Sequence, residues 1–116
     1  LHLPVHVLHF HILQKNLHRT IDKIYRYGGE EFVVLLPHTN NKEASFMAER
    51  LRKSVEDLKL PNIPSKETGG IVTISVGATT GEAEVGLSYD RLISSADMAL
   101  YEVKKNGRNQ VASKES

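Results

Sequence analysis

The sequence predicts an α/β fold of the α+β sandwich type, in which helices flank a largely antiparallel central sheet. Three observations carry this prediction. A glycine-rich turn separates two short runs of β-forming residues between residues 24 and 36. Two longer segments further on, residues 42–58 and 89–105, repeat their apolar residues with helical spacing. A segment that alternates apolar and small polar residues lies between those two helical patterns and is typical of a strand.

Length and composition limit the classes of function. The 116 residues suffice for one domain with a modest core. A net charge of +1 does not favour binding to nucleic acid or to a membrane surface, so we expect neither partner. The absence of cysteine excludes thiolate chemistry and fits a cytoplasmic protein. No apolar run approaches the roughly 20 residues of a membrane span.

The first third of the chain predicts a strand, a helix and a hairpin. Residues 1–10 alternate with a period of two, as a strand does, and residues 8–20 have helical spacing. Residues 24–27 and 32–36 are rich in β-forming residues. They predict a hairpin whose loop is the four residues 28–31.

Two amphipathic helices are predicted in the rest of the chain. The first spans residues 42–58 and the second residues 89–105, with Gly107 placed where a helix needs a left-handed cap. The expected buried residues are Ala44, Met47, Ala48, Leu51, Val55 and Leu58 in the first, and Leu92, Ile93, Ala96, Ala99, Leu100 and Val103 in the second.

Two further strands complete the predicted sheet. Residues 71–79 alternate Val72, Ile74 and Val76 with small polar residues or glycine. Residues 109–112 can add a short last strand, after which residues 113–116 are expected to fray.

The hairpin sequence RYGGEEF places two glycines beside two acids. Gly28 and Gly29 would let the backbone approach a bulky anionic ligand and offer N–H groups to its oxygens. Glu30 and Glu31 would supply hard oxygen ligands to Mg²⁺, which bridges protein carboxylates and substrate phosphates. An exposed hairpin whose acids only improve solubility explains the local pattern equally well.

Three arginines and a lysine could bind phosphate. Lys104 and Arg108 lie four residues apart across a predicted helix end. Cations that complement the helix dipole beside a glycine cap are the simpler explanation of this pair. Arg19 could bind phosphate or a guanine edge while Asp22 accepts from guanine N–H groups, or the two could form an ordinary i,i+3 ion pair. Arg50 could assist them or simply be solvated.

Three motifs together are specific. RYGGEEF, followed by SVGAT at residues 75–79 and ADMALYEVKKNGRN at residues 96–109, resembles the GGDEF domain of bacterial diguanylate cyclases, with glutamate as a permitted variant of the third letter. The resemblance covers about residues 12–112. We therefore expect a partial GGDEF domain at residues 12–116, preceded by an atypical segment at residues 1–11.

This resemblance implies a fold similar to adenylyl cyclases and polymerase palms. It also implies that two domains meet as a homodimer, each with one GTP. The 3′-hydroxyl of each GTP attacks the α-phosphate of the other, which yields cyclic di-GMP and two pyrophosphates. The implied cofactor is Mg²⁺ (or Mn²⁺). The implied location is the cytoplasm, and the resemblance is compatible with tethering of the parent protein to a membrane.

The family's catalytic residues map onto the hairpin. Gly28 and Gly29 would let the nucleotide approach, Glu30 would be a metal ligand, and Glu31 would lie at the reacting centre. Each assignment follows from the match of this sequence to the family motif.

The family's phosphate-binding and inhibitory residues map elsewhere. Lys104 and Arg108 match its phosphate-holding pair. Arg19 and Asp22 match an RxxD motif that binds the product and inhibits the enzyme, and Arg50 matches an additional arginine of that site.

The start of the sequence departs from the family. The family begins with a strand that carries an acidic metal motif, followed by residues that seat the guanine, whereas residues 1–10 contain no Asp, Glu, Asn or Lys. We expect a truncated or altered start, and little cyclase activity from the 116 residues alone. A degenerate domain that only binds cyclic di-GMP is the main alternative, and a dimerisation fragment without nucleotide binding is a third.

Overall fold

The computed structural model describes residues 13–17, 23–28, 31–61, 69–81 and 89–115. Contacts divide the chain into two compact units, Leu1–His38 and Thr39–Ser116. The elements in chain order are β1 (Lys23–Gly28), β2 (Glu31–Leu35), α1 (Asn41–Glu56), β3 (Val76–Thr80), α2 (Tyr89–Lys105) and β4 (Val111–Glu115). Helices and short strands are thus combined as the sequence predicts, and the α+β class is confirmed. The described strands form two two-stranded sheets, antiparallel β1–β2 and parallel β3–β4, so one largely antiparallel sheet is not found among them.

The first unit contains the predicted hairpin. Strands β1 and β2 pair antiparallel, and the register shifts at Tyr27, which forms a β-bulge between the pairs Arg26–Phe32 and Gly28–Glu31. Because Gly28 pairs directly with Glu31, only residues 29 and 30 separate the strands. The predicted four-residue loop is therefore wrong: with the bulge at Tyr27, pairing extends one residue further toward the tip on each strand.

The chain before the hairpin is described only at residues 13–17. Residues 13–15 are helical, as predicted, and the Asn16 N–H donates to the Leu13 carbonyl at 3.1 Å. Residues 16 and 17 are not helical, although the predicted helix includes them. Leu13 is buried. The predicted strand at residues 1–10 and most of the predicted helix at residues 8–20 lie outside the described residues.

Helix α1 opens the second unit with a side-chain cap. Asn40 has extended backbone angles, and its Oδ1 accepts from the Glu43 N–H at 2.8 Å, which satisfies a free donor of the first turn. Ala48, Leu51 and Val55 form its buried stripe, as predicted. Leu58 was expected on that stripe but is 46% exposed, because the helix ends at Glu56 and the spacing no longer applies.

Strands β3 and β4 pair in parallel and are connected through α2. A parallel connection needs a crossover, and α2 provides it by packing directly on β3. Gly77 makes this close approach possible: a Cβ atom at residue 77 would lie 2.2 Å from the Ala96 carbonyl oxygen and 2.4 Å from the Leu100 nitrogen. Helix α1 also packs against β3 and β4.

The strand limits differ from the predicted ones. Of the predicted strand at residues 71–79, only the end from Val76 is paired in β3, while Ile71 forms an isolated antiparallel bridge with Pro61. The last strand begins at Val111 and extends to Glu115, so the expected fraying from residue 113 is wrong. Parallel pairing with β3 holds this segment in place.

Candidate functional site

The tip of the hairpin holds the first group of candidate residues. Gly28 ends β1, Glu31 begins β2, and the two residues are paired across the ladder. Glu31 is exposed. This pairing fixes an acidic residue beside a glycine that has no side chain to obstruct an approaching ligand. A bulge next to such a pair increases the local twist of the strands, and bulges are common beside active sites.

Several predicted site residues lie outside the described part of the chain. They are Arg19, Asp22, Gly29 and Glu30. Within the described ranges, the structure contains no group of three or more His, Cys, Asp or Glu residues that could hold a metal ion. Glu31 has the hard carboxylate oxygens that suit Mg²⁺, which commonly binds through one or two protein carboxylates and substrate phosphates.

The carboxyl end of α2 holds the predicted phosphate-binding pair. Lys104 is the penultimate residue of the helix, Arg108 follows three residues after its end, and both are exposed. Gly107 has a φ of +107°, and the Arg108 N–H donates to the Val103 carbonyl at 2.9 Å. This bond is the 6→1 hydrogen bond of a Schellman cap, so the predicted glycine cap is confirmed.

Arg50 lies on α1 and is exposed. Its carbonyl accepts a hydrogen bond from the Ser54 hydroxyl at 2.7 Å, within the helix. Because Arg19 and Asp22 are outside the described residues, the product-inhibition site that joins them to Arg50 stays a prediction.

A polar cluster around Asn109 was missed by sequence reasoning. The Asn109 Oδ1 accepts from Arg52 Nη1 at 2.8 Å, and its Nδ2 donates to Glu56 Oε2. Its backbone N–H donates to the Ser75 hydroxyl at 3.2 Å. Arg52 also pairs with Glu49. The one feature of the sequence that could have indicated a special backbone here was the asparagine after Gly-Arg, because asparagine tolerates the left-handed conformation better than most residues.

The cluster shifts the titration of its charged groups. The hydrogen bond from Asn109, together with the neighbouring Arg52, lowers the pKa of the Glu56 carboxyl. The hydrogen bond from Arg52 likewise lowers the pKa of Glu49, and the bond to Glu49 raises the pKa of Arg52. The Arg52 side chain is only 13% exposed and that of Glu56 28%, so salt screens this pair less than a fully exposed one.

The lowered pKa of Glu56 predicts a pH dependence of stability. A carboxyl whose pKa is lower in the folded state contributes stability that is present above its unfolded value, about 4.3, and is lost as the pH falls below it. The free energy of unfolding should therefore fall between about pH 5 and pH 3, and it should fall less steeply in Glu56→Gln. Urea denaturation of both proteins across this range measures the difference. Glu43→Gln is the control, and equal slopes in wild type and Glu56→Gln would contradict the assignment.

Comparison with known sequences identifies the family. The sequence profile described as "Diguanylate cyclase, GGDEF domain" matches residues 9–110. The chain therefore belongs to the GGDEF family. The division into an atypical segment at residues 1–11 and a partial domain at residues 12–116 stays a prediction.

Individual relatives agree with this assignment. The chain is 42% identical to diguanylate cyclase A of Treponema denticola over 97 residues, which cover 84% of this chain and 25% of that protein. It is similar to the GGDEF domain of DgcB from Caulobacter crescentus, solved in complex with c-di-GMP, with a TM-score of 0.73 and 27% identity over 94% of this chain and 63% of that one.

A second solved structure is also similar. Diguanylate cyclase SiaD from Pseudomonas aeruginosa, solved in complex with its activator SiaC, has a TM-score of 0.68 and 31% identity, over 91% of this chain and 38% of that one. The chain spans about a quarter of the length of diguanylate cyclase A of Treponema denticola. Within the described ranges, no helix is both long and apolar enough to cross a bilayer.

Proposed function

We propose that this chain is the catalytic domain of a diguanylate cyclase, which condenses two GTP molecules into cyclic di-GMP and releases two pyrophosphates. The structural observation that carries the proposal is the pairing of Gly28 with Glu31 at the tip of a bulged hairpin. It holds the exposed acid Glu31 beside a glycine, which has no side chain to obstruct a polyphosphate substrate. Membership of the GGDEF family and the similarity to diguanylate cyclases support the same activity.

Each predicted residue has a part in this proposal. Gly28 and Gly29 leave room for the nucleotide, and Glu31 lies at the reacting centre. Lys104 and Arg108 hold phosphate groups. Each 3′-oxygen forms one new bond to an α-phosphorus. For each such bond, the bond from that α-phosphorus to the oxygen that bridges it to the β-phosphate is broken, and pyrophosphate leaves. Because each GTP is both nucleophile and electrophile, a homodimer with one GTP in each domain is required.

A divalent metal completes the proposed site. Glu30 is the carboxylate that would hold Mg²⁺ or Mn²⁺ beside Glu31 at the reacting centre, and the metal would neutralise charge on the phosphate groups during transfer. Residues 1–10 contain no carboxylate that could add a further ligand. We therefore expect little or no turnover from residues 1–116 alone, and the activity should be assayed in the full-length gene product. Incubation with GTP and Mg²⁺ should yield cyclic di-GMP and pyrophosphate.

Product inhibition is the second part of the proposal. Arg19, Asp22 and Arg50 would bind cyclic di-GMP, and the solved DgcB domain that resembles this chain is itself in complex with c-di-GMP. Calorimetry should detect cyclic di-GMP binding that Arg19→Ala weakens roughly tenfold or more, because a charge-assisted hydrogen bond to phosphate contributes at least about 1.5 kcal/mol. Glu43→Gln should bind normally. Undetectable binding by the wild-type protein would contradict this site.

A domain that only binds cyclic di-GMP is the alternative function. It predicts the same calorimetric result but no turnover of GTP. Retention of Glu30, Glu31, Lys104 and Arg108 favours the enzyme, because a receptor that uses Arg19, Asp22 and Arg50 has no need of those four residues.

A further inference from the structure

The backbone around Arg108 is unusual. Three consecutive residues have positive φ angles: Gly107 at 107°, Arg108 at 65° and Asn109 at 49°. Glycine adopts this conformation readily, but arginine does so at a cost and asparagine at a smaller one. Such a conformation persists only where surrounding contacts determine it, and it is common at functional sites.

Contacts on both sides hold this segment. On the helix side, the Arg108 N–H is bonded to the Val103 carbonyl. On the other side, Asn109 bonds through its backbone N–H to Ser75, and through its side-chain amide to Arg52 and Glu56. The Arg108 side chain is exposed. Its backbone is held by its own N–H on the helix side and by the bonds of Asn109 on the other.

The chemistry of the cluster suits asparagine at residue 109. Its carbonyl oxygen accepts from a cation, Arg52, and its amide nitrogen donates to an anion, Glu56. Aspartate would lose the donor and place two carboxylates together, and a leucine would leave both charged partners without this bond. Arg52 is paired with Glu49 and Glu56 and only 13% exposed, so its role here is structural rather than phosphate binding.

We propose that Arg52, Glu56 and Asn109 are positioning residues that hold the Arg108 backbone and thereby direct its guanidinium toward the phosphate groups of GTP. The phosphate contact rests on the proposed function, whereas the restraint on the backbone does not. The two parts therefore need separate measurements.

Amide hydrogen exchange tests the restraint without any nucleotide. In Asn109→Ala, the backbone amides of residues 108 and 109 should exchange at least roughly tenfold faster than in the wild type, because the segment opens locally more often. Glu49→Gln is the matched control, since Glu49 contacts Arg52 but not Asn109, and its exchange at these amides should change less than about twofold. Unchanged exchange in Asn109→Ala would overturn the restraint.

A double-mutant cycle tests the coupling to GTP. Arg108→Ala should weaken GTP binding by the full-length gene product roughly tenfold or more in calorimetry, and Asn109→Ala should weaken it several-fold. In the Arg108→Ala background, Asn109→Ala should weaken GTP binding further by less than about twofold, because its effect on binding depends on the Arg108 side chain. Fully additive effects would overturn the positioning role.

Two further outcomes separate this inference from the proposed function. If Arg108→Ala leaves GTP affinity and turnover unchanged, Arg108 does not contact phosphate, and that part of both the proposed function and this inference is wrong. Hydrogen exchange still decides whether Asn109 restrains the Arg108 backbone. If Asn109→Ala does not fold, Asn109→Gly carries the same comparison, because glycine accepts the positive φ and lacks the side chain that carries the amide. Arg52→Lys, which keeps the charge but not the planar fork, should weaken GTP binding in the same direction.

Discussion

Replacing Glu31 with glutamine is expected to reduce the conversion of GTP to cyclic di-GMP by the full-length gene product roughly a hundredfold or more, because Glu31 is proposed to lie at the reacting centre, where charge stabilisation contributes several kcal/mol. Glutamine has nearly the same size and keeps an acceptor oxygen but removes the negative charge. Glu31 is exposed at the start of β2, so the hairpin should tolerate the change.

The control for this variant is Glu43→Gln. Glu43 is also exposed and lies in the first turn of α1, so its replacement removes one negative charge from another place. Its turnover should stay within about twofold of the wild type, since exposed charges away from a site are screened. A Glu31→Gln protein that keeps more than half of the wild-type rate would exclude Glu31 from the reacting centre.

Replacing Gly77 with alanine is expected to destabilise the second unit by about 2–3 kcal/mol or more. The added Cβ would overlap the Ala96 carbonyl oxygen and the Leu100 nitrogen, both backbone atoms of α2. Backbone atoms within a helix cannot move aside as a flexible side chain can, so the helix must shift away from β3. Against a total stability of about 5–15 kcal/mol, this is a large effect.

Urea denaturation measures the effect as a lower midpoint at an unchanged slope. Gly69→Ala is an informative comparison, because Gly69 has a φ of +68° but nothing within 4 Å of an added Cβ. It should cost about 1 kcal/mol through backbone strain alone. Equal effects of the two substitutions would contradict the close packing of α2 on β3.

The sequence predicts the elements whose signals are local. Helix α2 spans Tyr89–Lys105 in the structure, the predicted limits, because an amphipathic repeat and the glycine cap at Gly107 are both written in consecutive residues. The two hairpin strands were predicted for the same reason. The loop length was not, since it depends on the bulge at Tyr27, which is a property of pairing rather than of residue type.

Features that depend on distant residues were not predictable from the pattern. Alternation predicted a strand at residues 71–79, of which only the part from Val76 is paired, and nothing in the pattern showed that a helix backbone would lie against Gly77. Asn109 bonds to Glu56 and Arg52, which are 53 and 57 residues away in the chain. Of the candidate site, residue types and spacing suggested Glu31, Lys104 and Arg108, but not the cluster that holds the segment after α2.

The stoichiometry of the reaction tests the central claim most directly. The full-length gene product, incubated with GTP and Mg²⁺, should form one cyclic di-GMP and two pyrophosphates for every two GTP consumed, as separated chromatographically and counted. Cyclic di-GMP binding without any consumption of GTP would contradict the cyclase and establish the receptor instead.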